Sequence, residues 1–131
     1  MAKKKQWQEP KEIIQYLSVQ GDLNRITYLE DKQSKYIRQY IRSKPGLKIV
    51  ATFRRCGLNQ RNLNMQWEKI CSLIREKKVD GVVVANMAAV AADLPDAYRK
   101  VGQIIEAGGV IVTVDEGCLS MDIKGVESYA R

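Results

Sequence analysis

The sequence predicts an α/β domain with a doubly wound, mostly parallel sheet of four to five strands and helices on both faces. Short apolar runs typical of strands alternate with longer segments of helical periodicity. The run DGVVV, which contains three consecutive valines, is typical of a parallel strand covered on both faces. With 131 residues, of which 45% are hydrophobic, the chain can fill one core. We therefore expect one domain over residues 9–131, preceded by a basic disordered tail over residues 1–8.

The first half of the chain gives three predicted elements before the second strand. Ile13, Ile14 and Leu17 share a helical face, which predicts an extra N-terminal helix over residues 9–20. The segment RITYL, residues 25–29, is rich in β-branched and aromatic side chains and predicts the first strand. A helix is expected to follow over residues 31–43.

The second half gives a clearer pattern of strands and helices. A strand is predicted over residues 47–53, and a polar loop then leads into a helix that ends near residue 76. Asp93 is expected to cap the last helix because an aspartate directly precedes the helical pattern. The remaining predicted elements are a strand at 81–86, a helix at 94–107, a strand at 110–114 and a weak signal at 126–129.

The composition excludes several classes of protein. No apolar run reaches the length of about 20 residues needed to span a bilayer, so we expect a cytoplasmic protein with no membrane partner. Three cysteines and no histidine predict neither a disulfide framework nor a zinc site. Residues 1–61 hold 14 Lys and Arg against 5 Asp and Glu, a charge of +9, whereas the rest carries −2. Such asymmetry favours contact with phosphates, although solvated basic residues are also common.

Neither a dinucleotide nor a P-loop motif follows any predicted strand, and a Ser-His-Asp triad is impossible without histidine. Carboxylates at the predicted strand ends leave two alternatives open, a site for a hard cation or simple solvation. No cofactor is expected. The carboxylates are Glu30, Asp31, Asp115 and Glu116.

The segment VDGVVVANMAAVAADLPDAYRKVGQIIEAGGVIVTVDEG resembles the closing half of the catalytic domain of serine recombinases, the resolvases and invertases. In that family the third strand runs into K-L-D-R-L-x-R-x-x-x-D, and the first strand carries Y-x-R-x-S. The resemblance covers roughly residues 24–120 and is strongest over 76–117. It implies a resolvase-like fold, with the predicted helix at 9–20 lying outside it.

The resemblance also implies what the chain lacks. The family uses a serine nucleophile and several arginines that hold the DNA phosphate. Laid on the later motif, the family's lysine, aspartate and two arginines become Asn86, Ala88, Ala89 and Ala92. With residues 25–29 as the first strand, Tyr28 matches the motif, while Glu30 takes the arginine position and Lys32 the serine position. Ser34 matches the first helix and not the nucleophile.

These observations predict a catalytically inactive, recombinase-like domain that works as an oligomerisation or DNA-associated accessory module. We expect self-association or a protein partner, and DNA contact that is independent of sequence, because no helix-turn-helix segment is present. The alternative is a small phosphate-ligand protein in which Lys32, Arg54 and Arg55 hold an anion, with Glu30 or Asp115 as acid or base. The expected DNA contacts are Lys3, Lys4, Lys5, Arg54, Arg55 and Arg61.

Overall fold

In the computed structural model, which describes residues 10–119, four strands alternate with three α-helices, and a fifth strand follows the fourth directly. A short 3₁₀ turn, Met87–Ala89, follows the third strand. The elements are β1 (Lys11–Leu17), α1 (Ile26–Arg42), β2 (Leu47–Arg54), α2 (Gln60–Arg75), β3 (Gly81–Val84), α3 (Leu94–Glu106), β4 (Val110–Thr113) and β5 (Gly117–Leu119).

The five strands form one sheet in the order β2-β1-β3-β4-β5. The first four strands pair in parallel, and β5 runs antiparallel to β4. The helix α1 covers one face through Ile37, whereas α2 and α3 cover the other through residues such as Trp67 and Ile104. The prediction of a mostly parallel α/β sheet with helices on both faces is therefore confirmed.

The predicted N-terminal helix over residues 9–20 is wrong, because this segment contains the interior strand β1. Every residue from Ile13 to Leu17 is buried, since β1 pairs with β2 on one side and β3 on the other while helices cover both faces. A short apolar run buried on both faces fits either a strand or a helix by periodicity. The chain therefore has no extra helix at this point.

The predicted first strand over residues 25–29 is also wrong, because these residues begin α1. Ile26 is buried, while Tyr28 is exposed. A turn in which the Arg25 amide donates to the Asp22 carbonyl (3.0 Å) precedes the helix. Tertiary packing overrides the weak strand preference of this short segment.

The later elements follow the sequence closely. The predicted helix near residues 62–76 is α2, and Asp93 caps α3 by accepting a hydrogen bond from the Asp96 amide (2.9 Å). Within residues 10–119, no helix is both long and apolar enough to cross a membrane. The weak signal at 126–129 and the basic tail at 1–8 lie outside the described residues.

Candidate functional site

The carboxyl ends of the four parallel strands lie along one edge of the sheet, where open α/β folds bind their ligands. Ser18 directly follows β1, and Arg55 directly follows β2. Asn86 comes two residues after β3, and Asp115 two residues after β4. These four residues mark the candidate site.

Ser18 is buried, and its side chain and backbone are hydrogen-bonded to neighbouring residues. Its hydroxyl donates to the Ala89 carbonyl (2.6 Å), and its backbone amide and carbonyl bind the side chain of Gln33 on α1. Only 2% of the residue is exposed. The hydroxyl thus points into the β3–α3 junction and not into solvent.

Arg55 is the guanidinium that reaches this serine. Its Nη1 donates to Ser18 Oγ (3.3 Å), and its Nε donates to the Leu58 carbonyl (2.6 Å). The loop turns sharply through Cys56 and Gly57, whose φ angles are 53° and 75°. This turn fixes Arg55 beside Ser18.

Arg54 is neutralised by two acids on α1. Its guanidinium donates to Glu30 (3.3 Å) and to Asp31 (3.1 Å), and the hydrogen bond with Asp31 is the main reason that the pKa of Arg54 is raised. Glu30 is buried and also accepts the Cys56 amide hydrogen (2.9 Å). Arg54 therefore braces α1 against the β2–α2 loop.

A buried tyrosine lies under this edge. Tyr16 of β1 donates its hydroxyl hydrogen to Gln66 and packs edge-on against Trp67, with ring centroids 6.0 Å apart. Gln66 in turn donates to the Arg54 carbonyl (3.0 Å). Burial raises the pKa of Tyr16, so its hydroxyl stays neutral.

The junction after β3 is held together by polar groups at its margins. Asn86 accepts the Ala89 amide hydrogen (2.9 Å) and donates to Asp115 (2.8 Å), which also accepts a hydrogen bond from Tyr36. The bonds from Tyr36 and then from Asn86 lower the pKa of Asp115. The Met87 amide donates to Glu116 (3.0 Å).

Small side chains occupy the surface between these groups. Ala88 and Ala92 are exposed and Ala89 is half-buried. They adjoin a shallow cleft of about 400 Å³ whose lining is mainly apolar. The lining residues are Met87, Ala88, Ala91, Ala92, Asp93, Leu94, Ala97 and Glu116.

The structure separates most of the other predicted site residues. Arg61 is exposed in the first turn of α2, and Lys32 lies on the exposed face of α1. Lys3, Lys4 and Lys5 lie outside the described residues. Within residues 10–119, no three carboxylate or thiol groups lie close enough together to hold a metal ion. Glu30 and Asp31 bind Arg54, and Asp115 and Glu116 bind neighbouring groups of the protein.

Sequence reasoning missed Ser18 because it placed this residue in a helix. The segment IIQYLSVQGD holds the available signal, since a small polar residue ends an apolar run just before a glycine-aspartate turn. A strand ending at residue 17 puts the serine at a sheet edge, whereas a helix does not. Ser18 was therefore missed because the strand before it was predicted as a helix.

The strand order, the single helix on one face and the two helices on the other define a resolvase-like α/β domain. A solved structure, that of a resolvase family site-specific recombinase from Streptococcus pneumoniae, matches with a TM-score of 0.71. The match covers 92% of this chain and 83% of that chain, at 16% sequence identity, and therefore shows the fold. No family model matches the sequence, and no curated protein does.

Proposed function

We propose that this chain is a recombinase-like domain that does not break DNA and acts as an accessory module on DNA or with other subunits. The main support for this proposal is the sheet edge at the carboxyl ends of the strands. There a single guanidinium, that of Arg55, lies beside a buried serine hydroxyl. Cleavage of a phosphodiester by a serine requires an accessible hydroxyl and several positive groups around the phosphate. In residues 10–119 the other guanidinium at this edge, Arg54, is paired with acids.

The corrected first strand changes how the family's Y-x-R-x-S motif lies on the chain. With β1 as that strand, the register that aligns a serine puts Ser18 at the serine position and Tyr16 at the arginine position. Glu30 and Lys32, which the earlier alignment matched to this motif, lie on α1 and therefore do not correspond to positions of the strand motif. The nucleophile's hydroxyl is thus retained in the sequence, but a buried neutral tyrosine stands where the motif has a cation.

The later motif supports the same proposal. Ala89 and Ala92 take the positions of its two arginines, and neither side chain can bind a phosphate. Its final aspartate corresponds to Asp96, which is buried and bonded to Lys100. Removing one charge-stabilising donor typically lowers kcat by a factor of about 10²–10³. The combined absence of the motif's arginines therefore leaves Ser18 without effective catalysis.

The test is incubation of the protein with supercoiled plasmid and with labelled duplex, followed by denaturing electrophoresis. We expect no nicked plasmid and no covalent protein–DNA band, and the Ser18→Ala variant should be indistinguishable from the wild type. A covalent band that disappears in Ser18→Ala would identify Ser18 as a nucleophile and overturn the proposal. Nicking that survives the substitution would indicate another nucleophile and would overturn it as well.

The contact between Arg55 and Ser18 favours a second candidate function, the binding of a small phosphate ligand. The cleft beside Arg55 has a volume of about 130 Å³, below the range of about 300–1,000 Å³ usual for small-molecule sites. A phosphate ion fits this space better than a nucleotide does. A thermal shift with inorganic phosphate that is absent in Arg55→Gln would favour this function, and equal shifts in both proteins would count against it.

Association with a second copy or with another protein is part of the proposal, and cytoplasmic location remains a prediction. The solved structure of similar fold is described as a site-specific recombinase, which supports an association with DNA in this chain. Sedimentation equilibrium over a range of concentrations tests self-association. A monomer mass throughout would remove the self-association part and leave the DNA part standing.

A further inference from the structure

The exposed face of α1 carries a row of basic side chains. Along this helix, exposed residues follow one another at alternating steps of four and three, which keeps them on one face. Ile26, Glu30 and Ile37 are buried on the opposite side. The exposed row consists of Tyr28, Lys32, Lys35, Gln39 and Arg42, and we call its cations Lys32, Lys35 and Arg42 the α1 basic stripe.

The charges of the stripe are not neutralised by acids in the described part of the chain. The ion pairs found within residues 10–119 involve Arg54, Arg99 and Lys100. The helix contributes two carboxylates, Glu30 and Asp31, and both bind Arg54. The stripe therefore presents its positive charge to solvent.

Tyr28 holds two cations in place at the start of the stripe. The Arg25 guanidinium lies 5.7 Å and the Lys32 ammonium 5.6 Å from the centre of its ring. Because both cations lie against the ring, Tyr28 positions these two charged groups, and its ring is not an open surface on which a base could stack. The hydroxyl of the other exposed tyrosine on this helix, Tyr36, is held by Asp115.

The arrangement suits an extended polyanion. Like charges three or four residues apart, such as Lys32 with Lys35 and Arg38 with Arg42, destabilise an isolated helix, and an anion bound across them relieves this repulsion. From Lys32 to Arg42 the stripe extends along about 15 Å of helix. Duplex DNA carries one negative charge per roughly 1.7 Å of its axis.

We propose that the α1 basic stripe binds the phosphate backbone of duplex DNA without reading its sequence. This inference rests on the proposed function, which includes association with DNA, and it assigns that association to α1. The strand-end residues Arg54 and Arg55 then stabilise the fold and make no contact with DNA.

Fluorescence anisotropy with a labelled duplex over a salt series tests the assignment in the full chain. The stripe variant is Lys32→Gln/Lys35→Gln/Arg42→Gln. The matched control, Lys69→Gln/Arg75→Gln/Lys78→Gln, removes the same charge from exposed positions on and just after α2, across the sheet. We expect the stripe variant to lose at least about tenfold in affinity and its log–log salt slope to become shallower by roughly 2–3, about 0.9 per lost phosphate contact. The control should stay close to the wild type.

Further variants separate the possible outcomes. Lys32→Arg/Lys35→Arg/Arg42→Lys keeps the charges and should bind as the wild type does, and circular dichroism checks that every variant is folded. Equal losses of DNA affinity in the stripe variant and the control would contradict the assignment of DNA binding to the stripe, while the association of the chain with DNA would stand. No binding of the wild type at low salt would overturn the stripe and the DNA part of the proposed function, while the part that concerns subunit association would be judged by sedimentation. Tighter binding of single-stranded than of duplex DNA would overturn the duplex assignment.

Discussion

Asp96 and Lys100 form an ion pair enclosed between α2 and α3. Lys100 Nζ donates to Asp96 Oδ2 (2.7 Å) and to Asn64 Oδ1 (2.7 Å), and the two charged residues are only 4% and 2% exposed. Burial alone disfavours the carboxylate, but the hydrogen bonds from Lys100, the Ala92 amide and Arg99 outweigh it and lower the pKa of Asp96. This pair ties the β3–α3 junction to α2.

Removing one member of the pair should destabilise the fold strongly. Asp96→Asn leaves the Lys100 ammonium buried without its carboxylate, so the free energy of unfolding at pH 7 should fall by about 3–5 kcal/mol. Urea denaturation measures this change. The exposed substitution Glu106→Gln should stay within about 0.5 kcal/mol of the wild type.

The same pair predicts a pH dependence. Because folding lowers the pKa of Asp96, its contribution is complete above the ordinary carboxyl value of 3.8 and is lost as the pH falls through the lower folded value. The stability difference between the wild type and Asp96→Asn should therefore shrink below about pH 3.8. A difference that stays constant down to pH 2 would contradict this account.

Among the elements, β3 depends on a glycine at its first position. A Cβ on Gly81 would lie 2.1 Å from the Val110 carbonyl oxygen, on the neighbouring strand β4. Gly46, just before β2, has open space around the same position. The two glycines thus provide a matched pair for testing the β3–β4 contact.

Gly81→Ala should lower the free energy of unfolding by about 1–3 kcal/mol, because one backbone must move away from the other. Gly46→Ala should leave it unchanged or raise it by up to about 1 kcal/mol, since alanine restricts the unfolded chain. Thermal unfolding of both variants measures the difference. Equal free energies of unfolding for the two variants would mean that β3 and β4 can separate enough to accept a Cβ at residue 81 without loss of stability.

The elements also differ in how far the sequence could predict them. α2 and α3 are long enough for their periodicity to be unambiguous, and the Asp93 cap fixes where α3 begins. β1 is a seven-residue strand whose five last residues are all buried, so no alternation of polar and apolar residues distinguishes it from a helix. The misplaced serine and the misplaced first strand both follow from that single ambiguity.

At the scale of the whole molecule, both core layers share one sheet. Ile13 of β1 belongs to the layer under α1, and Ile14 belongs to the layer under α2 and α3. Neither layer can persist when β1 leaves the sheet. We therefore expect residues 10–119 to unfold in one cooperative step.

The Trp7→Phe variant makes this expectation measurable, because the chain has two tryptophans and Trp67 then reports alone. Trp67 is buried in the layer under α2 and α3, whereas far-ultraviolet circular dichroism also reports α1 on the other face. The two signals should give the same urea midpoint. Two separated midpoints would show that α1 and its layer unfold independently.

The sequence by itself determined the class of fold, the placement of the elements from β2 to β4 and the absence of histidine chemistry. These properties depend on composition and on periodicities that extend over enough residues to be unambiguous. Only the tertiary structure decided that residues 11–17 form an interior strand, that Ser18 lies at the sheet edge and that the cations of α1 share one exposed face. The physical reason is that a short apolar run becomes a strand or a helix according to the neighbours that bury it, and β1 acquires those neighbours from β2 and β3, more than thirty residues away.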